Sequence, residues 1–282
     1  MNLIEQIPHI ILANITELLL QGNKLTRVPH DIGILYPKLS ELYIQRNKLQ
    51  TVPEISSQSL TKLDVEGNNI DKICYKIDGD KLVQLSLMLN EIKNVEFVEG
   101  TRLSKLESLD VRMNRVEEFT EKTFEFIHNI RTLLMTHNKM SIYPQNIKDL
   151  LPNLKVLWSG ENRLVEIPST IGEIKGMLNM YVSTNHIVRC PNLLNMSEAF
   201  RVNVSDNLLT DMPRLSKDVL LFMIDKNRII SLTDLPPGSR MQTFSARFNS
   251  ITEIPSSLCR PGLINLILTG NKLRRINEQL RY

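Results

Sequence analysis

Asparagine recurs at positions 23, 47, 68, 90, 114, 138, 162, 185, 207, 227, 249 and 271, each closing an eight-residue lead of the form apolar-x-x-apolar-x-apolar-x-x. Successive asparagines lie 24, 21, 22, 24, 24, 24, 23, 22, 20, 22 and 22 residues apart. The apolar residues five and three places before each asparagine alternate with variable ones, the period-2 pattern of a strand with one buried face. Leu18 and Leu20, Leu42 and Ile44, Leu63 and Val65, Leu85 and Leu87, and Leu109 and Val111 are such inward pairs. One repeat has no second sheet to cover these side chains, so it must stack on its neighbours, with equivalent positions about 4.8 Å apart. Twelve strands stacked in this way span roughly 55 Å. The asparagine stands where the chain turns away from the strand. There its amide is expected to bond main-chain groups otherwise buried without partners, and its loss to cost about 1 to 3 kcal/mol.

After the asparagine comes a second phrase, N-x-φ-x-x-φ-P, in Asn23 to Pro29, Asn47 to Pro53, Asn162 to Pro168 and Asn249 to Pro255, with proline also in the last place at 144, 191 and 213. Proline restricts itself and its predecessor, so the return path is directed into turns and extended segments rather than long helices. The best exception is Thr120 to Ile127, where a capping residue precedes apolar Phe124 and Ile127 and one or two short helical turns are expected. The phrase also opens the chain, in Asn2 to Pro8, as a repeat without its strand. The reading is therefore a single solenoid over residues 1–282: a half repeat at 1–14, then twelve repeats. The last segment, Ile276 to Tyr282, stops inside a repeat, and neither end carries a distinct cap. The ends either fray or are covered by another chain, which leaves end-to-end self-association open.

The whole pattern is L-x-x-L-x-L-x-x-N-x-L, as in Leu39-Ser40-Glu41-Leu42-Tyr43-Ile44-Gln45-Arg46-Asn47-Lys48-Leu49. In this it resembles the leucine-rich repeat superfamily over its whole length. Ile167-Pro168-Ser169-Thr170-Ile171-Gly172-Glu173-Ile174 resembles intracellular scaffolds of the Ras-suppressor and Scribble type. Pro53 to Leu60 and Asp234 to Arg240 look like the shorter, proline-rich repeats of bacterial effectors. The resemblance implies an α/β solenoid, a horseshoe with a parallel sheet on its concave face and a mostly irregular or short-helical convex side. It also implies a non-catalytic platform for another protein.

Composition narrows the classes. No run approaches the roughly 18 apolar residues of a membrane span. The net charge of +3 lacks the concentrated basic footprint of a nucleic-acid binder. Three cysteines cannot pair completely, and the first residues show neither a basic start nor a small-residue cleavage site, so a reducing, cytoplasmic setting is expected. Cys190 stands at a repeat position otherwise filled by apolar residues and reads as a small buried side chain. Tripeptides of the glycosylation pattern at Asn14, Asn195 and Asn203 are taken as chance without a secretory signal.

The variable strand positions project from the sheet. Four places before each asparagine stand Leu19, Tyr43, Asp64, Ser86, Asp110, Leu134, Trp158, Tyr181, Asn203, Met223, Ser245 and Ile267. Leu134, Trp158 and Tyr181 are consecutive and are expected to form an apolar patch about 10 Å long. Asp64, Glu66, Asp110 and Arg112 would make a charged area beside it, suited to orienting a partner. Tyr43 and Met223 complete the candidate partner-binding set. Ser159 holds a normally apolar inward position, so a register shift that buries Trp158 and exposes Ser159 is the alternative. The residue after the asparagine is basic at Lys24, Lys48, Arg115, Lys139, Arg163, Arg228 and Lys272, read as a solvated phrase rather than a binding rim.

His9, His30, His128, His137 and His186 show no metal-ligand spacing, and no phosphate loop or nucleophile motif occurs. The expectation is a non-enzyme with no cofactor or metal, binding a protein partner and acting as a scaffold in intracellular signalling. The alternatives are a substrate-recruiting module of a phosphatase, kinase or ubiquitin ligase, and a bacterial effector acting in a host cell.

Overall fold

In the computed structural model the described residues are 3–196 and 201–274. The chain divides into two compact units, Met1–Lys139 and Met140–Tyr282.

The first unit stacks six three-residue strands: β1 (Glu17–Leu19), β2 (Glu41–Tyr43), β3 (Lys62–Asp64), β4 (Gln84–Ser86), β5 (Ser108–Asp110) and β6 (Thr132–Leu134). Each is parallel to the next and in register, Leu42 beside Leu63, Leu63 beside Leu85 and Leu109 beside Leu133. Leu42, Ile44, Leu63, Val65, Leu109 and Val111 are completely buried, as the alternation requires. Each such side chain contributes about 1.5–3 kcal/mol, and it is the neighbouring turn that excludes the water.

The return path is short and mostly irregular. Of the helices in this unit, Glu121–Phe126 lies in the segment expected to be helical, with Phe124 and Ile127 buried. Thr120 at its start makes no side-chain cap; instead Thr123 Oγ1 donates to the Val95 carbonyl at 2.7 Å, tying the helix to the preceding turn. A second helix, Ile32–Leu35, and a small outer ladder pairing Ile55–Ser56 with Ile77–Asp78 were not anticipated. The opening phrase packs as a turn without a strand: Ile7 is buried and the Ile4 amide donates to Asn23 Oδ1 at 3.1 Å. Met1 and Asn2 lie outside the described residues.

The second unit stacks β7 (Val156–Trp158), β8 (Asn179–Tyr181), β9 (Arg201–Asn203), β10 (Leu221–Met223), β11 (Thr243–Ser245) and β12 (Asn265–Ile267), again parallel and in register. Leu157, Met180, Val202, Phe222 and Phe244 fill its core. Its outer side carries the helix Ile147–Leu150 and the 3-10 turns Ser169–Glu173 and Ser256–Leu258. Ile276 to Tyr282 lie outside the described residues. Both units are parallel-strand α/β solenoids with little helix. No helix among the described residues is long and apolar enough to cross a membrane.

The asparagines bind adjacent turns to one another. Asn47 Oδ1 accepts from the Leu25 amide at 2.9 Å, while its Nδ2 donates to the carbonyls of Leu20, Ile44 and Gln45 at 2.9, 3.0 and 3.2 Å. The same set recurs at Asn68, Asn90, Asn114, Asn138, Asn185, Asn207, Asn227 and Asn249. Asn23, Asn162 and Asn271 likewise join an amide to nearby carbonyls. To bring the amide under the strand, the residue just before the asparagine turns left-handed. Arg46, Leu89, Met113, His137, Glu161, Thr184, Asp206, Lys226 and Phe248 have φ between 49 and 57°, and glycine takes the place at 22, 67 and 270.

Candidate functional site

The outward sheet face of each unit is built from residues six, four and two places before the asparagine. In the second unit, Trp158 on β7 and Tyr181 on β8 are register partners, their rings edge-on with centroids 5.6 Å apart at 80°. Trp158 is 36% exposed and Ser159 is fully buried, so the register shift does not occur. Asn203 and Met223 continue the row on β9 and β10, both half-buried. A Cβ at Gly160 would meet the Ser183 carbonyl oxygen at 3.1 Å, so glycine lets the two strands approach there.

Ser159 escapes to no solvent. Its hydroxyl and that of Tyr143 are both buried without a well-formed hydrogen bond. Burial pushes the Tyr143 phenol well above its usual range, and the nearby Ser159 hydroxyl offsets this only in part.

In the first unit, Asp110 is the register partner of Leu134. Arg112 is clamped onto its own neighbour: Nη2 meets Asp110 Oδ2 at 2.6 Å, and Nε and the main-chain amide reach Oδ1 at 3.0 Å. These bonds hold the guanidinium pKa above its ordinary value. Tyr43 is fixed in a similar way, its hydroxyl donating to Glu41 Oε2 at 2.5 Å and accepting from Lys62 Nζ at 2.9 Å. The ammonium lies 4.7 Å from the ring centroid, and its hydrogen bond to Tyr43 raises its pKa. Asp64 accepts from Gln45 Nε2 at 2.7 Å and from the Glu66 amide at 3.1 Å.

The structure thus groups Tyr43 with Asp64, and Asp110 and Arg112 with Leu134, in the first unit, and Trp158 with Tyr181, followed by Met223, in the second. Sequence reasoning passed over the column six places before the asparagine, which puts Arg201 and Leu221 on the same face as Tyr181 and Met223. The signal was available, since those residues alternate with the inward ones. Asp225 was also missed as a junction: its Oδ1 accepts from Ser245 Oγ at 2.6 Å and from the Arg247 amide at 2.7 Å. Cys190 is partly exposed, and burial of its thiol pushes its pKa up to about 12, against any reactive role.

Among solved structures, a chain of the octameric complex of Latrophilin 3, Unc5D and FLRT2 (LRR) superposes with a TM-score of 0.75 at 18% identity, covering 98% of this chain and 93% of that one. The fold is that of a leucine-rich-repeat solenoid. No family model matches it. The chain is 24% identical to Podocan-like protein 1 of Mus musculus over 234 residues, covering 70% of the chain and 41% of the relative. It is 27% identical to Tsukushi of Gallus gallus over 190 residues, covering 62% of the chain and 49% of the relative. The chain therefore spans less than half the length of these two relatives. Such relatives are secreted proteins of the extracellular matrix, which overturns the cytoplasmic location expected from the cysteines and the first residues. Unpaired cysteines constrain the compartment less than that reading assumed.

Proposed function

We propose that this leucine-rich repeat chain is a non-catalytic module that binds a protein partner on the outward face of its strands, outside the cell. The observation that carries this reading is the Trp158–Tyr181 pair, an edge-on aromatic couple left at the surface while its inward strand neighbours Leu157, Met180 and Val182 are completely buried. Aromatic anchors with polar surroundings dominate protein interfaces, and Asn179, Ser183 and Asn203 supply such surroundings. The fixed polar groups of the first unit, Tyr43, Asp64, Asp110 and Arg112, meet a partner without first having to be ordered. The extracellular relatives, and the solved complex in which an LRR chain stands beside other proteins, support the same reading.

Cross-linking with mass spectrometry on the native protein identifies the partner. Trp158→Ala is then expected to weaken that complex by about 2 kcal/mol or more while the circular dichroism spectrum stays unchanged. Recovery of the same partner at the same strength with the variant would place the interface elsewhere.

A further inference from the structure

The outward faces of the two units differ in charge. In the first, the three projecting columns hold Glu17, Glu41, Asp64, Glu66 and Asp110 against Lys62 and Arg112. Both cations there are engaged, Lys62 by Tyr43 and Arg112 by Asp110. In the second, the same columns hold Arg201 and Arg247 against the single carboxylate of Asp225. Asp225 already accepts bonds from Ser245 and from the Arg247 main chain. Arg201 and Arg247 are both exposed, and neither guanidinium has an acidic partner among the described residues.

Arg201 opens β9, on the same outward face as the aromatic pair. It is the register partner of Asn179 and Leu221, one strand from Tyr181 and two from Trp158. We infer that the partner segment held at Trp158 and Tyr181 carries an aspartate or glutamate next to its apolar anchor, received by Arg201. This rests on the proposed function and names the chemistry of that same site. An exposed guanidinium with no acidic partner among the described residues selects a carboxylate, which it can hold with two parallel hydrogen bonds. Two strand spacings across and two residues along the strand separate Arg201 from Trp158 by about 12 Å, which an extended peptide covers in roughly three to four residues. The acid is therefore expected about three to four residues from the anchor.

Trp158 is the single tryptophan, so its fluorescence reports on the site directly. A phage-displayed library of random linear peptides is selected on the whole chain, and the enriched sequences are synthesised and titrated. The expected peptides perturb Trp158 fluorescence, fail to bind Trp158→Ala, and carry Asp or Glu near an aromatic or large apolar residue. Arg201→Glu is expected to weaken them roughly tenfold, and replacement of the peptide's acid by lysine to restore binding to that variant. Peptides that bind at Trp158 without acidic enrichment, and equally well to Arg201→Glu, overturn this inference and leave the proposed function standing. A selection that yields no peptide perturbing Trp158, or only peptides indifferent to Trp158→Ala, overturns the proposed function and this inference with it.

Discussion

The Ser159 hydroxyl lies against that of Tyr143 inside the core of the second unit, at a strand position where the equivalent inward residues are Leu20, Ile44, Val65, Leu87, Val111, Met135, Val182, Val204, Ile224, Ala246 and Leu268. The shortened side chain at 159 makes room for the longer one at 143. Two buried hydroxyls without good partners each carry an unrecovered desolvation cost. Removing both at once, with Tyr143→Phe and Ser159→Ala, is expected to stabilise the protein by about 1 kcal/mol. The check is a shift of the urea midpoint to higher concentration at unchanged slope. A lower midpoint would mean that the pair is well hydrogen-bonded.

The same burial predicts a pH dependence. The folded pKa of Tyr143 is raised above its ordinary value of 10.0 because the charged phenolate would be desolvated. Above pH 10 the unfolded chain therefore releases a proton that the folded chain keeps, so the unfolded state is favoured as pH rises. The contribution approaches about 1.4 kcal/mol of lost stability per pH unit. Tyr143→Phe should flatten this loss relative to the parent between neutral pH and strongly alkaline conditions. Tyr36, raised by burial in the first unit, continues to contribute in both proteins.

Asn114 tests the ladder. Its Oδ1 serves the Ile92 amide, and its Nδ2 serves the carbonyls of Leu87, Val111 and Arg112. Asn114→Ala leaves a buried amide and buried carbonyls without partners and is expected to cost about 1–3 kcal/mol or more. Asn114→Asp should cost more still, because a carboxylate oxygen would then face the carbonyls that Nδ2 now serves. Denaturant titration of both variants decides the order, and equal losses would show that the donor side of the amide contributes nothing.

Strands and core were legible because stacking forces one period-2 stripe in every turn: Leu63 and Val65 announce their burial without reference to any other residue. The outward position of Trp158 was legible only as one of two registers, because Ser159 breaks the stripe beside it. Structure decided it through the space that Tyr143 fills, a contact between turns that no local pattern displays. The helix at Glu121–Phe126 could be read from Thr120, Phe124 and Ile127, whereas Ile32–Leu35 and Ile147–Leu150 are single turns held by packing, too short for any periodicity. The secreted character of the relatives was hidden because the core says nothing about compartment.

The left-handed residue before each asparagine left no trace in composition, since arginine, leucine, methionine, threonine and phenylalanine all occupy it, and this yields the last prediction. A β-branched side chain suits that conformation least, and Thr184 holds φ at 56°. Its side chain is exposed and makes one 3.3 Å contact with Asp206. Thr184→Gly relieves roughly 1–2 kcal/mol of backbone strain against roughly 0.5–1 kcal/mol of added chain entropy in the unfolded state, so a net gain of about 1 kcal/mol is expected. Gly67→Val makes the reverse change at φ 65°, and its new Cβ would come within 3.3 Å of Arg46 Cγ. It should destabilise. Paired denaturation curves for the two variants test the assignment, and a loss of stability in Thr184→Gly would show that the Asp206 contact outweighs the strain.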